Sequence, residues 1–302
     1  MRVHIVGNVC VDTTFWVERF PAPGETLIAL SSSSNVGGKG ANQAMAVARA
    51  GAEVTLHAAI GRDEAAGQIR GALRDDRLAL DFLDGAGHSD TSMILVRGDG
   101  ENLIVSDTGK ARSFDPLAST NFADAITRND IVLLQGNLDP AVTVACLRLA
   151  RQKAAFTVLN PSPLTTAPIS WSLVDLVVAN RGEVEVLAGN RNVEAGAAAL
   201  LAQGAGHVAV TLGGHGVLLR DETSITYIKA PKVEAIDTSG AGDVLCGVAV
   251  GLIAQGVTAE VAFARAAAAA ALSVTRKGTL ASCPSADEIA SLPQPSIHRR
   301  PS

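Results

Sequence analysis

The stretch Ala235-Ile236-Asp237-Thr238-Ser239-Gly240-Ala241-Gly242-Asp243 sets three small residues directly ahead of a carboxylate, and an apolar run from Val244 to Ala254 follows at once. Small residues at the opening of a helix leave free backbone N–H groups at the positive end of the helix dipole with nothing bulky in front of them. Such a seat takes an anion. A carboxylate at its mouth repels phosphate, so Asp243 points to work on a nucleophile: it accepts a proton from a hydroxyl while the amides hold an incoming phosphoryl group. The same residues also suit an ordinary Gly-rich turn with Asp at a helix N-terminus, where Asp is common. Taken alone, the stretch leaves both readings open.

Gly37-Gly38-Lys39-Gly40-Ala41-Asn42 is a second candidate. Its glycines permit close backbone approach to a ligand, and Lys39 and Asn42 offer donors in the same turn. The alternative is a glycine turn that packs a helix closely. Asn180 and Glu183 stand one helical turn apart, which also fits a helix cap with a first-turn acid. Thr211-Leu212-Gly213-Gly214-His215-Gly216 has the form of a turn after a strand.

The surrounding pattern implies elements that bring these stretches together. Residues 3 to 11 form a β-branched apolar run expected of one buried strand, with Asp12 just beyond its carboxyl end. Between Phe15 and Val36 the pattern breaks into short pieces around Pro21-Ala22-Pro23-Gly24, which read as strands leaving the main body. Thr91–Val96 and Asn102–Ser106, joined by Gly98-Asp99-Gly100, read as a hairpin. From about residue 114 strands alternate with helices: Ile131–Leu134, Pro140–Gln152, Phe156–Leu159, Leu176–Val178, Arg181–Ala188, Val193–Gln203 and His207–Thr211. That rhythm predicts an α/β fold, a doubly wound and mostly parallel sheet with helices on both faces. The expected division is a core of residues 1–11, 37–90 and 107–302 with a small β lid of 12–36 and 91–106. In such a sheet Asp12, Gly37–Asn42, Asn137, Asn180 with Glu183, Thr211–Gly216 and Ser239–Asp243 fall at strand ends or helix starts on one edge, where ligands bind.

Composition narrows the classes. The 302 residues are 47% hydrophobic and only 3% aromatic, with a net charge of −5 and no basic cluster, which argues against nucleic acid as partner. The one basic excess, Arg299-Arg300, lies in a Pro/Ser tail expected to fray. Cys10, Cys146, Cys246 and Cys283 form no C-x-x-C pair, so neither a zinc site nor a disulfide framework is indicated, and a reduced cytoplasm fits. Met1 to Gly7 reads as a first strand, not a signal peptide, and Val244–Ala254 is too short to span a bilayer. No G-x-G-x-x-G follows the first strand, which argues against a dinucleotide-binding oxidoreductase.

Six motifs together resemble the ribokinase, or PfkB-type, family of carbohydrate kinases, over residues 3 to 289. They are Phe20-Pro-Ala-Pro-Gly-Glu-Thr26, Gly37-Gly-Lys-Gly-Ala-Asn-Gln-Ala44, Asn180-Arg-Gly-Glu183, Thr211-Leu-Gly-Gly-His-Gly216, Asp237-Thr-Ser-Gly-Ala-Gly-Asp243 and Val274-Thr-Arg-Lys-Gly278. The resemblance implies an ATP-dependent kinase that phosphorylates a primary hydroxyl of a small sugar or polyol, with Asp243 as base and the amides of Gly240, Ala241 and Gly242 as anion hole. It implies that Asp12, Gly38, Lys39, Gly40, Ala41, Asn42 and Asn137 hold the sugar, and that Asn180, Thr211, Gly213, Gly214, Gly216, Gly242 and Ala267 line the nucleotide. Asn180 and Glu183 would order magnesium through its waters. Asp237, Ser239, Ser273, Arg276, Gly278 and Ser282 would hold an activating potassium ion, mostly by backbone oxygens. The lids of such proteins often clasp one another as a homodimer.

The sequence departs from the family at three places. Cys10 stands where ribokinases usually have Asn, Asn137 where they usually have Glu, and Ala267 where some have His near adenine. The first two fall on the sugar side and put ribose in question, since a site built for one hydroxyl pattern rejects another. A nucleoside kinase of the same family and a sugar-binding protein without turnover are the other readings.

Overall fold

A computed structural model describes residues 1–98, 101–293 and 296–301 of the chain. Its strands are β1 (Val3–Val6), β2 (Cys10–Val17), β3 (Ser31–Gly37), β4 (Val54–Ile60), β5 (Leu78–Asp84), β6 (Asp90–Arg97), β7 (Asn102–Asp107), β8 (Ile131–Gln135), β9 (Phe156–Asn160), β10 (Leu176–Asn180), β11 (His207–Thr211), β12 (Val217–Arg220), β13 (Ser224–Ile228) and β14 (Ile297–Pro301). Ten of these make one sheet in the order β14-β13-β12-β11-β10-β9-β8-β1-β4-β5. The pairs from β11 through β5 are parallel, and β12, β13 and β14 add an antiparallel edge.

Continuous apolar runs such as Ile131-Val132-Leu133-Leu134 make sense because this sheet is covered on both faces. Side chains alternate between the two cores. Val3, Ile5, Ile131 and Leu133 pack with helices Lys39–Arg49, Ala241–Ala254 and Ala259–Ser273, while Val6, Val132 and Leu134 pack with helices Pro140–Gln152 and Val193–Ala202. A strand flanked by water on one side would show polar residues at every second position instead.

β3, β2, β6 and β7 form a separate four-stranded sheet; β2 runs parallel to β6, and the outer pairs are antiparallel. The apolar run at residues 3–11 is therefore not one strand. It breaks at Gly7-Asn8-Val9, and β2 begins at Cys10 in the small sheet, because Gly7 and Asn8 pack against the opening of the next helix. Asp99 and Gly100 of the expected hairpin turn lie outside the described residues. Strand β5 has no counterpart in the sequence reading, since Asp81 and Asp84 interrupt its apolar residues.

The tail does not fray. β14 pairs with β13 from Ser224↔Pro301 to Ile228↔Ile297, and Arg300 Nη2 donates to Glu194 Oε1 at 2.6 Å. A basic edge strand is a common guard against edge-to-edge association, which a reading of tail composition alone overlooks. Among the described residues no helix is long and apolar enough to cross a membrane.

Candidate active site

The site depends first on how closely two helices approach. Helices Lys39–Arg49 and Ala241–Ala254 meet along Gly247 and Gly251. A Cβ added at Gly247 would lie 2.5 Å from Ala46 Cβ and from Gln43 O, and one at Gly251 would lie 2.9 Å from Ala50 Cβ. Only glycine on one helix and alanine on the other permit that distance. The first turns of both helices are thereby placed side by side.

Asp243 sits at this junction, 5% exposed, and receives three donors. Gln43 Nε2 lies 2.9 Å from its Oδ1, Lys39 Nζ 3.3 Å from the same oxygen, and Asn42 Nδ2 3.2 Å from Oδ2. Burial pulls the Lys39 ammonium toward deprotonation, but the charge and hydrogen bond of Asp243, with a smaller contribution from Glu183, outweigh it and raise its pKa. Lys39 is therefore a cation at neutral pH.

The helix opens at Gly240, which adopts φ 76°, with no side-chain cap on the first turn. Ala241 N–H makes a 3.3 Å bond to Thr238 O, whereas the N–H groups of Gly240 and Gly242 meet no acceptor among the described residues. A Cβ at Gly242 would meet nothing within 4 Å, so the space in front of these amides is open. An uncapped first turn with open space before it is the geometry that an anion seat requires.

Asp12, on β2, faces the same region. Its Oδ2 lies only 2.1 Å from where a Gly37 Cβ would be, and Thr279 lies within 3.3 Å of that same point and 3.2 Å from a Cβ at Gly240. Cys10 Sγ donates to Asp12 Oδ1 at 3.2 Å, and burial followed by the Asp12 charge pushes this thiol well above its ordinary pKa, so it stays a donor. Gly38 and Gly40 press against Asn8 and Val9, and Ala41 is fully buried with its N–H on Asn8 O. Of Gly38 to Asn42, then, Lys39 and Asn42 send side chains toward Asp243, while Gly38, Gly40 and Ala41 let the helix abut the β1–β2 link. Asn137 follows β8, and its Oδ1, like Asn42 Oδ1, is buried without a partner. Both are buried acceptors left unsatisfied among the described residues.

Beyond the helix opening lies a cavity of about 550 Å³. Thr211, Gly213, Gly214, Gly216, Ala241, Gly242 and Ala267 all line it. Ala230, Pro231, Lys232, Val233, Ala270, Ala271 and Val274 line it too, and the sequence reading assigned none of them to the nucleotide. The 230–233 loop carries no glycine turn or helix signal; its position just before the Asp237 motif was the one available pointer. Gly216 is fixed by packing, since a Cβ there would lie 1.9 Å from Ile228 O.

Asn180 and Glu183 form a reciprocal capping box: Glu183 N–H donates to Asn180 Oδ1 and Asn180 N–H to Glu183 Oε2, both at 2.8 Å. The cap engages one carboxylate oxygen, and Oε1 has no partner among the described residues, so the cap leaves that oxygen free. Asp237 bonds Ser239 N and Gly278 N, each at 2.9 Å, which ties the 275–283 loop to the Asp243 helix. Arg276 pairs with Glu288 at 3.1 Å, Ser273 Oγ donates to Ala270 O, and buried Ser282 Oγ donates to Thr279 O. Main-chain oxygens, and the lone pairs that these donating hydroxyls keep, are what this loop can present to a cation.

A family model described as pfkB family carbohydrate kinase matches residues 2–286. A ribokinase of Staphylococcus aureus (strain COL) is 32% identical over 299 residues, 95% of this chain and 98% of that protein. The solved ribokinase of Thermotoga maritima is similar at a TM-score of 0.88 and 28% identity, covering 96% of this chain and 98% of the other. A ribokinase of Cryptococcus neoformans var. grubii serotype A, solved in complex with ADP, is similar at a TM-score of 0.82 and 27% identity, covering 96% and 98%.

Proposed function

The chain belongs to the pfkB family of carbohydrate kinases, and from that premise we propose that it transfers the γ-phosphoryl group of ATP to a primary hydroxyl of a small sugar or polyol. The observation that carries this reading is the meeting at one point of an open, uncapped helix N-terminus, a buried carboxylate and sugar-type donors from a second helix. Asp243 takes the proton from the attacking hydroxyl. The amides of Gly240, Ala241 and Gly242 hold the phosphoryl oxygens as charge moves onto them. Asp12, Lys39, Asn42 and Asn137 orient the acceptor, and Lys39 adds a positive charge beside the transferring group.

The 550 Å³ cavity suits a nucleoside, and its small residues suit a flat base. Magnesium fits the free oxygen of Glu183 with Asn180 beside it, and when bound it neutralises phosphate charge. The backbone oxygens around Ser239, Ser273, Arg276, Gly278 and Ser282, with Asp237, are hard donors suited to potassium. Equal turnover in sodium-only, potassium-only and monovalent-free buffers would remove that ion from the account.

The four-stranded sheet (β3, β2, β6, β7) acts as lid and excludes water that would hydrolyse ATP. Met93 and its register partner Val105 are exposed on it, as is Leu103 two residues before Val105, and they form the face on which a second copy docks. A reduced cytoplasm suits the four free cysteines.

Asn137 is an amide with an unpartnered acceptor oxygen, and Cys10 commits Asp12 Oδ1 to a thiol. These two contacts differ from those usual in ribokinases and put ribose in question as the acceptor. ADP release measured against pentoses, hexoses, polyols and nucleosides tests the assignment. A turnover ratio favouring a free sugar or polyol supports it; preference for nucleosides establishes the nucleoside-kinase reading, and tight sugar binding without turnover establishes a binding protein.

A further inference from the structure

Asp243 makes its shortest contact not with Lys39 or Asn42 but with Gln43, whose side chain is fully buried behind the site. A glutamine amide has two faces of similar shape, a donor and an acceptor, and only the donor face can meet a carboxylate. Something must fix which face is presented. Gln135 Nε2, at the end of β8, donates to Gln43 Oε1 at 2.7 Å, so the oxygen face is taken. Asn160, at the end of β9, donates its Nδ2 to Val178 O at 2.7 Å, which turns its own Oδ1 toward Gln43 Nε2 at 3.1 Å. The direction of the chain is therefore anchored at a backbone carbonyl, which cannot flip. Asn160 sets the facing of Gln43, and the Gln43 oxygen in turn takes the Gln135 amide, whose own Oε1 meets no partner among the described residues.

We propose that Gln43 is a positioning residue for Asp243, and that Gln135 and Asn160 hold its amide in the one orientation that donates to the carboxylate. This rests on the reading of Asp243 as the base. Both hydrogens of Gln43 Nε2 are engaged, one on Asn160 Oδ1 and one on Asp243 Oδ1, so the carboxylate is held at a fixed rotation with its other oxygen on Asn42. The relay also accounts for Gly7 at the end of β1: a Cβ there would fall 2.0 Å from Gln135 Oε1 and drive that amide out of line. Gln43, Gln135 and Asn160 are 0%, 0% and 8% exposed, so water cannot substitute for a lost partner.

The test is a double-substitution cycle on kcat. Gln135 does not touch Asp243, so a purely structural role predicts independent effects. With Gln135→Met the buried Gln43 oxygen loses its donor, the amide keeps its facing toward Asn160 and Asp243 but not its fixed position, and kcat falls about tenfold while KM for ATP changes less than about twofold. Gln43→Met lowers kcat by roughly 10–100-fold. In the double variant kcat is no lower than in Gln43→Met alone, because nothing remains to be oriented. Multiplicative losses overturn the proposal, as does full kcat in a folded Gln135→Met protein. Gln135→Asn, one methylene too short to reach, repeats the test with a polar side chain in case the Met variant does not fold. Near-wild-type turnover of Asp243→Asn would remove the base assignment itself, whereas an inactive Asp243→Asn with an additive cycle removes only the relay.

Discussion

Around Asp243 the cleft is made of side chains held by other side chains: Lys39, Asn42 and Gln43 on the acid, and Cys10 on Asp12. A few ångströms along the same helix, the cavity from Thr211 to Val274 presents glycines, alanines and bare amides, with Lys232 and two threonines as its side-chain polar groups. On the proposed function the first end takes the acceptor by the placement of charged and amide groups, so it should be sensitive to chemistry. The second takes the phosphoryl donor by main-chain direction and by emptiness, so it should be sensitive to volume. The largest test of this contrast is Asp243→Asn, which keeps shape and removes basicity. kcat falls by about 10²–10⁴ while KM for ATP stays within about threefold, read by steady-state ADP release. An equal rise in KM for ATP would erase the boundary between the two ends.

Two glycines on the one helix give the complementary test at the donor end. Gly242 has nothing within 4 Å of an added Cβ, while Gly247 has Ala46 Cβ and Gln43 O at 2.5 Å. Gly242→Ala therefore folds with an unchanged Tm but sets a methyl group in the anion seat, lowering kcat/KM for ATP by roughly 10–100-fold. Gly247→Ala does the reverse in kind: it forces the helices apart and destabilises by about 1–3 kcal/mol, seen as a lower Tm in a thermal melt. Its loss of turnover tracks the sugar KM and kcat together, since Lys39, Asn42 and Gln43 move as a body.

This contrast also separates what the sequence disclosed from what it did not. The parallel sheet was legible because a strand covered on both faces must be apolar throughout, and the glycine motifs were legible because tight turns leave few residue choices. Pro140–Gln152, Arg181–Ala188 and His207–Thr211 have the expected bounds. β5 was hidden by Asp81 and Asp84, whose partners, His57 and Arg70, are distant in sequence. The break after Val6 was hidden because β2 is as apolar at its start as β1, and only the pairing partners differ. At the site, Asp243, Lys39 and Asn42 could be named from motifs. Gln43 could not be given a role, because its meaning comes from Gln135 and Asn160, 92 and 117 positions away.

Stability divides the molecule in another way. His4 Nδ1 and His57 Nε2 are 3.2 Å apart in the core, with Asp81 on His57 at 2.8 Å, Asp130 near His4 at 3.6 Å and Phe122 edge-on to both rings. Burial, then the neighbouring His4, lowers the His57 pKa to about 4, against the pull of Asp81. His4 is also lowered, mainly by burial, with Asp130 opposing and Arg2 adding to the fall. An unfolded chain therefore takes up protons before the folded one as pH drops. Stability is full above the ordinary histidine value of 6.5 and falls as pH goes from there toward about 4. Melts of wild type and His57→Gln across that window check it: the variant shows the shallower decline. kcat at pH 7.5 changes little, because neither end of the cleft uses this pair.

The smallest expected effect comes from Lys232, the one charged side chain among the described residues that line the proposed nucleotide cavity. If the donor end relies on backbone and volume, this ammonium contributes only a solvent-facing attraction to a polyanion, and such exposed pairs are worth about 0–1 kcal/mol. Lys232→Ala should then raise KM for ATP by about two- to fivefold, leave kcat and sugar KM unchanged, and lose its effect as salt is raised and the charge is screened. A loss of a hundredfold that persists in high salt would mean that a side chain, not the main chain, grips the nucleotide. The division drawn between the two ends would then have to be redrawn with a built cation site in the 230–233 loop, a part of the cavity wall whose own residues carry no motif.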